Sequence, residues 1–461
     1  MQRIWLMFCA APLLFSCASL ESLWSETVAR ATVASPLRIE NAWWSSFHDP
    51  LMDTLAQQLL AQNLDLKIAA TRITEARGLN RNVESGLFPD ISLSGSASRA
   101  NTQLFLTKPI TNKQAGFDAS WELDIFGRIA ASVKAANNRI ASQTASAEDV
   151  RNSVLAELFR AVVEWRQAQQ TITGTNALLA SQQQQISLLE ARVAAGLIEQ
   201  SSLERARAQR VQTSVQLPMA EIAVRTAQYQ IERLLGCEPE SLSAQLAAQA
   251  HRPLIIPTLV HDAQLPIERI KQRPDLRASY AEMIASQADL KQAEADLWPR
   301  LTLTGFYGIR DLPSGVPGPD NPIWSLASSL TSPLLNFGRL HGAVDAVNAR
   351  SQRASLAYED AVLKALQETR TALSDYLGGL DAVAQQTVAI KHRREAVALA
   401  KERFTRGLTD MTDLTTAQTE LDQATLMLIE RQANTAIAYI RLQKALGTVV
   451  SQPTDVIQNG A

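Results

Sequence analysis

The sequence predicts a mixed fold, made mostly of long α-helices with four amphipathic β-strands and an internal duplication. Two proline-free runs, 127–217 and 338–450, each predict a very long helix (128–195 and 339–405), a tight turn and a second helix running back. A helix of about 68 residues is roughly 100 Å long, whereas helices in globular proteins average about 11–12 residues. The chain is therefore built to span a distance, and four short segments of alternating character supply the strands.

The first 16 residues predict an export signal. Arg3 supplies a positive charge, and Ile4–Phe15 is an apolar run too short to cross a bilayer. The segment ends in Leu-Phe-Ser-Cys, which resembles a bacterial lipoprotein cleavage box and makes Cys17 the predicted lipidated first residue of the mature chain. The alternative is an ordinary signal peptide followed by a chance cysteine. In signals of this kind a residue other than Asp after the cysteine favours the outer membrane, and Ala18 stands at that position.

Composition and motifs argue against several classes of function. The 461 residues carry 44 basic and 46 acidic side chains, which argues against a nucleic-acid partner held by a basic surface. The histidines have no metal-ligand spacing, and no Gly-rich loop ends in Gly-Lys-Ser/Thr, so no metal and no cofactor is predicted. Of the three cysteines, Cys237 alone is expected to stay a free thiol in the mature chain, so no intramolecular disulfide is expected.

The stretch 17–62 is predicted to be a lipid-anchored extended segment followed by a short helix. Trp43, Trp44 and Phe47 are predicted to anchor it on the body of the protein, and Pro50 suits the first turn of the helix. A second helix is predicted over 64–87, because Pro89 cannot continue it.

Four segments alternate apolar and polar residues, which predicts strands with one apolar and one polar face. They lie at 91–98, 117–125, 301–309 and 324–330, with loops at 99–115 and 311–321. The candidates for a lipid-facing or interfacial side are Phe117, Trp121 and Trp324. The candidates for a water-filled lumen are Asp118, Glu122 and Asp124. The alternative is an ordinary soluble sheet.

The chain contains an internal duplication. Phe88-Pro89 recurs as Trp298-Pro299 at an offset of 210, and Phe126-Gly127-Arg128 recurs as Phe337-Gly338-Arg339 at 211. The Gly-Leu turn at 196 and the Leu-Gly pair at 235 also recur at 211. The predicted repeats are 63–236 and 274–447, joined by an irregular proline-rich bridge, 237–273, and followed by a tail, 448–461.

These parts predict a tube shared between several copies of the chain. Strands of this length match a transmembrane barrel, which must close because open edges cannot be satisfied in hydrocarbon. Four strands cannot enclose a lumen, so either the sheet is a soluble sandwich or copies of the chain pool their strands. The helices predicted at 64–87 and 198–236 together match one long helix in length, which allows them to stack beside it in a helical cylinder.

The motifs also carry a resemblance to a known family. The Trp43-Trp44 to Leu51 string, the stretch 265–276, Trp298-Pro299 and the two Phe-Gly-Arg turns resemble the TolC-like outer-membrane efflux ducts, above all the lipoprotein branch that serves resistance-nodulation-division pumps. The resemblance covers essentially all of the mature chain. It implies a homotrimer with a twelve-stranded barrel above a periplasmic α-helical tunnel. It also implies a periplasmic adaptor (membrane fusion) protein and an inner-membrane pump of the resistance-nodulation-division type as partners.

In such ducts the turn corresponding to 403–414 closes the periplasmic end of the tunnel. By resemblance, Phe404 takes the place of an aromatic gate residue and Asp413 that of a gating aspartate. The chain departs from the family pattern at Thr409 and Thr416, where arginine and a second acid occur in other members. The alternative is that Asp413 only favours the start of the returning helix. The turn of the first repeat carries acids at 199 and 204, where the family places adaptor binding.

The sequence therefore predicts a passive outer-membrane duct for small molecules and not an enzyme. A type I protein-secretion duct of the same fold is one alternative, against which the lipid box argues. A periplasmic helical adaptor or scaffold without a pore is the other, and the four amphipathic strands argue against it.

Overall fold

The computed structural model describes residues 43–100, 110–250, 252–258, 270–311, 322–409 and 411–447. The predicted signal, Cys17 and the C-terminal tail from residue 448 lie outside the described residues. So do residues 259–269 of the predicted bridge and most of the two loops between paired strands.

The first repeat follows the predicted order of helix, strand, strand, long helix and returning helix. A 3₁₀-helix, Trp43–Phe47, precedes it. The elements are α1 (Pro50–Gln62), α2 (Leu64–Glu84), β1 (Asp90–Ala100), β2 (Ile110–Leu123), α3 (Arg128–Ala194), α4 (Gln200–Ser214) and α5 (Gln216–Leu235). Asp49 caps α1 through the Leu51 amide at 3.1 Å, with Pro50 in the first turn, and Asn63 caps α2 through the Leu66 amide at 3.0 Å.

The second repeat has the same order. Its elements, after the short α6 (Ser243–Ala247) of the bridge, are α7 (Pro274–Ala295), β3 (Arg300–Asp311), β4 (Ile323–Thr331), α8 (Arg339–Thr405) and α9 (Met411–Ala445). Both long helices, α3 and α8, have 67 residues, which corresponds to about 100 Å. The predicted long helices and their turns are thus confirmed.

Three boundaries differ from the prediction. The returning helix of the first repeat is divided at Val215, because Pro218 has no amide hydrogen to donate to the carbonyl of Ser214. The α2 helix ends at Glu84, and residues Ser85–Leu87 form a 3₁₀ turn instead of its last α-turn. The β2 strand begins at Ile110, inside the predicted loop, and ends at Leu123.

The turns show the duplication in backbone conformation. Positive φ angles occur at three pairs of glycines 211 residues apart: Gly127 and Gly338, Gly196 and Gly407, Gly236 and Gly447. At the two tips, Leu197 N donates to Arg192 O and Leu408 N to Arg403 O, both at 2.9 Å. These bonds satisfy carbonyls at the ends of the long helices, and glycine takes the left-handed conformation that they require at little cost.

The four strands form one antiparallel sheet in the order β1-β2-β3-β4. The register pairs Leu93 with Phe117, Phe117 with Tyr307, and Tyr307 with Trp324. Since side chains alternate between faces, this register places most of the large apolar residues of the four strands on one side. Most serines and threonines of the same strands share the other side.

The core of the molecule lies near the middle of the long helices. Trp44 and Phe47 are buried, and Phe159 of α3 packs on Trp43 and Trp44 with ring centroids 5.2 and 5.1 Å away. Tyr439 of α9 packs on Phe47 at 5.7 Å. The predicted aromatic anchor is confirmed, and it joins the N-terminal segment to helices of both repeats.

A buried ion pair reinforces this junction. Arg166 of α3 is 1% exposed, and its Nε donates to Asp49 Oδ2 at 2.8 Å. Its Nη1 donates to the carbonyl oxygen of Gln249 at 2.9 Å. Because Asp49 also caps α1, one carboxylate ties that helix to α3, and the arginine ties both to the bridge. Among the described residues, no helix is long and apolar enough to cross a membrane.

Candidate functional site

The apolar face of the sheet carries the three predicted lipid-facing or interfacial residues. Phe117 and Trp324 are 55% and 75% exposed, and Tyr307 lies between them in the register. Trp121 is partly exposed, and its indole Nε1 donates to the carbonyl oxygen of Leu87 at 3.1 Å. Large apolar side chains are therefore gathered on one uncovered face, with an indole anchored at its helical end.

The opposite face carries two of the three predicted lumen residues. Asp118 and Glu122 lie on this polar side of β2, and both are partly exposed. Glu122 forms a bidentate ion pair with Arg128 at the start of α3, with both N–O distances at 2.9 Å. This pair gives Arg128 a specific role at the junction between sheet and helix.

Asp124 has a different position from the one predicted. It lies one residue beyond the end of β2, and its carboxylate accepts from the amides of Ile129 at 3.0 Å and Ala130 at 2.7 Å. The side chain thus caps the N-terminus of α3, where a negative charge is favourable. The alternation had placed it on the strand, but the turn at Gly127 brings it onto the helix end instead.

The tips of the two long hairpins pack together through an apolar cluster. Phe404 is 4% exposed within this cluster, and the Arg192 guanidinium lies 4.1 Å from the centre of its ring. The buried members of the cluster are Ile186, Leu189, Leu203, Ala206, Phe404, Met411 and Leu414. Phe404 therefore packs between the two repeats of one chain and is not exposed on the helix surface.

The other predicted gate residues lie on the outside of this cluster. Asp413, in the first turn of α9, and Thr416 are exposed. Thr409 is partly exposed, although its hydroxyl oxygen is buried and has no partner among the described residues. No hydrogen bond or ion pair joins the Asp413 carboxylate to the described residues, whereas at the other tip Arg207 pairs with Glu190 and Glu204. The Asp413 carboxylate at the second-repeat tip is thus unpaired within the described part of the chain.

A buried polar layer lies behind the tip, and sequence reasoning did not find it. Asp422 of α9 accepts from Gln418 Nε2 at 2.8 Å, and burial raises its pKa from 3.8 to about 6. Gln182 of α3 is 6% exposed, and its Nε2 donates to the hydroxyl of Thr213 in α4 at 3.1 Å. Both Asp422 and Gln182 line a small cavity of about 10 Å³. Nothing in the local pattern distinguishes Asp422 from a solvated acid, because its burial comes from the first repeat.

The described part of the chain contains no group of three or more His, Cys, Asp or Glu residues placed to hold a metal ion. Cys237 is a free cysteine at the end of α5.

Comparison with known proteins gives a consistent result. The chain is 26% identical over 414 residues to Nodulation protein T of Rhizobium leguminosarum bv. trifolii, covering 88% of this chain and 87% of that protein. It is 25% identical over 417 residues to the solvent efflux pump outer membrane protein SrpC of Pseudomonas putida, covering 87% and 86%. The outer-membrane channel OprN superposes with a TM-score of 0.82 at 28% identity, over 90% of this chain and 95% of that one.

A family model, described as outer membrane efflux protein, matches residues 55–237 and 265–448, more than half of the chain. The two matches begin 210 residues apart and end 211 apart, which are the offsets of the internal duplication. Family members of this kind are passive channels and not enzymes. The chain therefore belongs to the outer membrane efflux protein family.

Proposed function

We propose that the chain is one subunit of a homotrimeric duct that carries small molecules across the outer membrane. The observation that carries this proposal is the single apolar face formed by all four strands, with Phe117 and Trp324 more than half exposed on it. A four-stranded sheet has two open edges, which hydrocarbon does not tolerate. Three copies supply twelve strands, enough to enclose a lumen lined by the polar face.

The long helices extend the lumen into the periplasm in this proposal. The α3 and α8 helices continue from the sheet for about 100 Å, and α2 and α7 pack beside them. Small buried side chains, many of them alanine, allow these helices to approach closely. Three copies of this arrangement form a hollow cylinder that continues the barrel.

The duct has no energy source of its own and is proposed to work with an efflux pump. Its relative SrpC is named as the outer membrane protein of a solvent efflux pump. The specific partners proposed here are a periplasmic adaptor (membrane fusion) protein and an inner-membrane pump of the resistance-nodulation-division type. The ion-paired tip of the first repeat, with Glu199 and Glu204, is the proposed adaptor contact.

The gate is proposed to lie at the second-repeat tip. Three copies of Asp413 around one axis repel one another unless cations or arginines pair with them, so this ring affects both ion selectivity and the work of opening. Thr409 and Thr416 line the same surface in this proposal. Phe404 contributes from inside the protomer, because its packing under Arg192 holds the two hairpins at the tip together.

Cys17 is proposed to carry lipid and to anchor the mature N-terminus in the outer membrane, beside the barrel. Acyl chains and the sheet would then hold the protein in the same bilayer, while the helices extend into the periplasm.

The experiment is purification in detergent, native mass spectrometry and reconstitution in a planar bilayer. A trimer mass together with discrete conductance steps is expected. A protein that is monomeric and water-soluble without detergent would contradict the trimeric duct and support the scaffold alternative.

A further inference from the structure

One aromatic residue breaks the polar face of the sheet. Phe306 lies on β3 on the same side as Asp118, Glu122 and the serines of β1, directly opposite Asp118 on β2 and Ser325 on β4. Directly opposite residues on antiparallel strands have Cβ atoms about 4.5–5.5 Å apart. Phe306 and Asp118 are therefore cross-strand neighbours on this face.

Two glycines make room for the ring. Gly116 and Gly308 are register partners, and a Cβ atom built on either would lie 2.7 or 2.8 Å from Cζ of Phe306. The ring thus leans along the strand over the glycine pair and occupies the space that two side chains would fill. Glycines inside strands often mark a close approach of another group, and an aromatic ring beside a glycine supports the sheet there. One side of the ring packs on backbone, while the side chain stays partly exposed.

The charge next to this ring has no partner among the described residues. The neighbouring charges on the polar face are engaged: Glu122 pairs with Arg128, and Arg310 donates to Gln114 Oε1 at 2.7 and 3.1 Å. Asp118 lies between Gln114 and Glu122 on the polar side of β2, and its carboxylate makes no hydrogen bond or ion pair with the described residues. An aromatic ring beside a free carboxylate suits a cation with an apolar body, which the ring attracts by its quadrupole and the carboxylate by its charge.

We propose that Phe306 and Asp118 form a contact site for organic cations on the wall of the duct. The site rests on the proposed function, because it requires the polar face to line the lumen. Three copies would surround the path at the level of the Gly116–Gly308 pair and retard cationic aromatic solutes relative to neutral ones.

The test is the block of ion current through the reconstituted full-length protein by benzyltrimethylammonium, with tetramethylammonium and neutral benzyl alcohol as comparison probes. Block by benzyltrimethylammonium is expected to be strongest in the wild type. The change Phe306→Leu is expected to weaken it about two- to fivefold, the contribution of a cation–π contact at a partly exposed site, to weaken block by tetramethylammonium for the same reason, and to leave any block by neutral benzyl alcohol unchanged. The change Asp118→Asn is expected to weaken block by both cations.

The matched control is Tyr307→Leu, which removes an aromatic ring of the adjacent residue on the apolar face and is expected to leave block unchanged. If conductance is normal and block is equal in the wild type, Phe306→Leu and Asp118→Asn, the site is overturned and the duct is left intact. Equal effects of Phe306→Leu and Tyr307→Leu would also overturn it. An absence of conductance steps in the wild type would instead refute the duct itself.

Discussion

Protonation of Asp422 is predicted to control how tightly the tip of the two hairpins is packed. The polar side chains around its cavity are uncharged: Gln182, Gln185, Gln209, Thr415, Gln418 and Thr419. Neither Asp422 Oδ2 nor Gln182 Oε1 has a hydrogen-bond donor among the described residues. No cationic side chain lines this cavity among the described residues, and burial penalises the charged carboxylate, so the neutral acid is favoured.

The sign and size of the effect follow from the raised pKa. An acid whose pKa is higher in the folded state stabilises the packing below the ordinary value of 3.8, and this stabilisation is lost as pH rises through about 6. The difference between these two values corresponds to about 3 kcal/mol, which the partial exposure of the residue reduces to about 1–2 kcal/mol. Part of this stabilisation is already lost at pH 4.5, so local opening of the tip is expected to rise about two- to sixfold between pH 4.5 and 7.5.

The assay is amide hydrogen exchange of peptides from α4 and α9 in the detergent-solubilised protein, corrected for the intrinsic pH dependence of exchange. The change Asp422→Asn keeps the shape of the side chain and supplies a permanent donor, so its protection is expected to stay constant over this pH range. Glu420→Gln, an exposed acid on the same helix, is the control and is expected to behave as the wild type. The same pH dependence in the wild type and in Asp422→Asn would refute the reasoning.

Three further predictions concern the gate, the core and the anchor. Asp413→Ala is expected to raise the closed-state conductance in planar bilayers, and an unchanged value would remove Asp413 from the gate. Arg166→Met leaves the Asp49 carboxylate buried without its partner and is expected to destabilise the protein by about 3–5 kcal/mol. This loss should appear as a large fall in the thermal midpoint, whereas Arg160→Met, at a more exposed position, should change it little, and equal midpoints would contradict the buried ion pair. Cys17→Ala is expected to abolish the acyl mass of the mature protein in intact-mass spectrometry; a wild-type mass without lipid would refute the anchor.

Much of the fold could be predicted from the sequence because local rules govern it. Period-two alternation identified the four strands, and the recurrence of Phe-Gly-Arg and Gly-Leu pairs identified the duplication. Pro218 was also a local signal for the break at Val215, since it cannot donate the amide hydrogen that a continuous helix requires. The predicted helix nevertheless continued across this position.

The roles of the site residues were harder to predict from the sequence, because the exposure and the partners of each side chain depend on segments far apart in the chain. Phe404 was predicted as a gate residue, yet Arg192 and Leu189 of the other repeat bury it, and its role in the gate stays a prediction. Asp124 lies in an alternating stretch, yet its carboxylate caps the helix that follows the turn.

The sequence alone determined the lengths of the helices, the positions of their glycine turns and the alternation of the strands, since each depends on the nearest few residues. The folded chain decided which of these residues meet. The register brought the apolar faces of four strands to one side and set Phe306 opposite Asp118, and the packing of two hairpins partly buried Asp422 beside Gln182, 240 residues earlier. Such pairings depend on packing between distant segments, which no local pattern encodes.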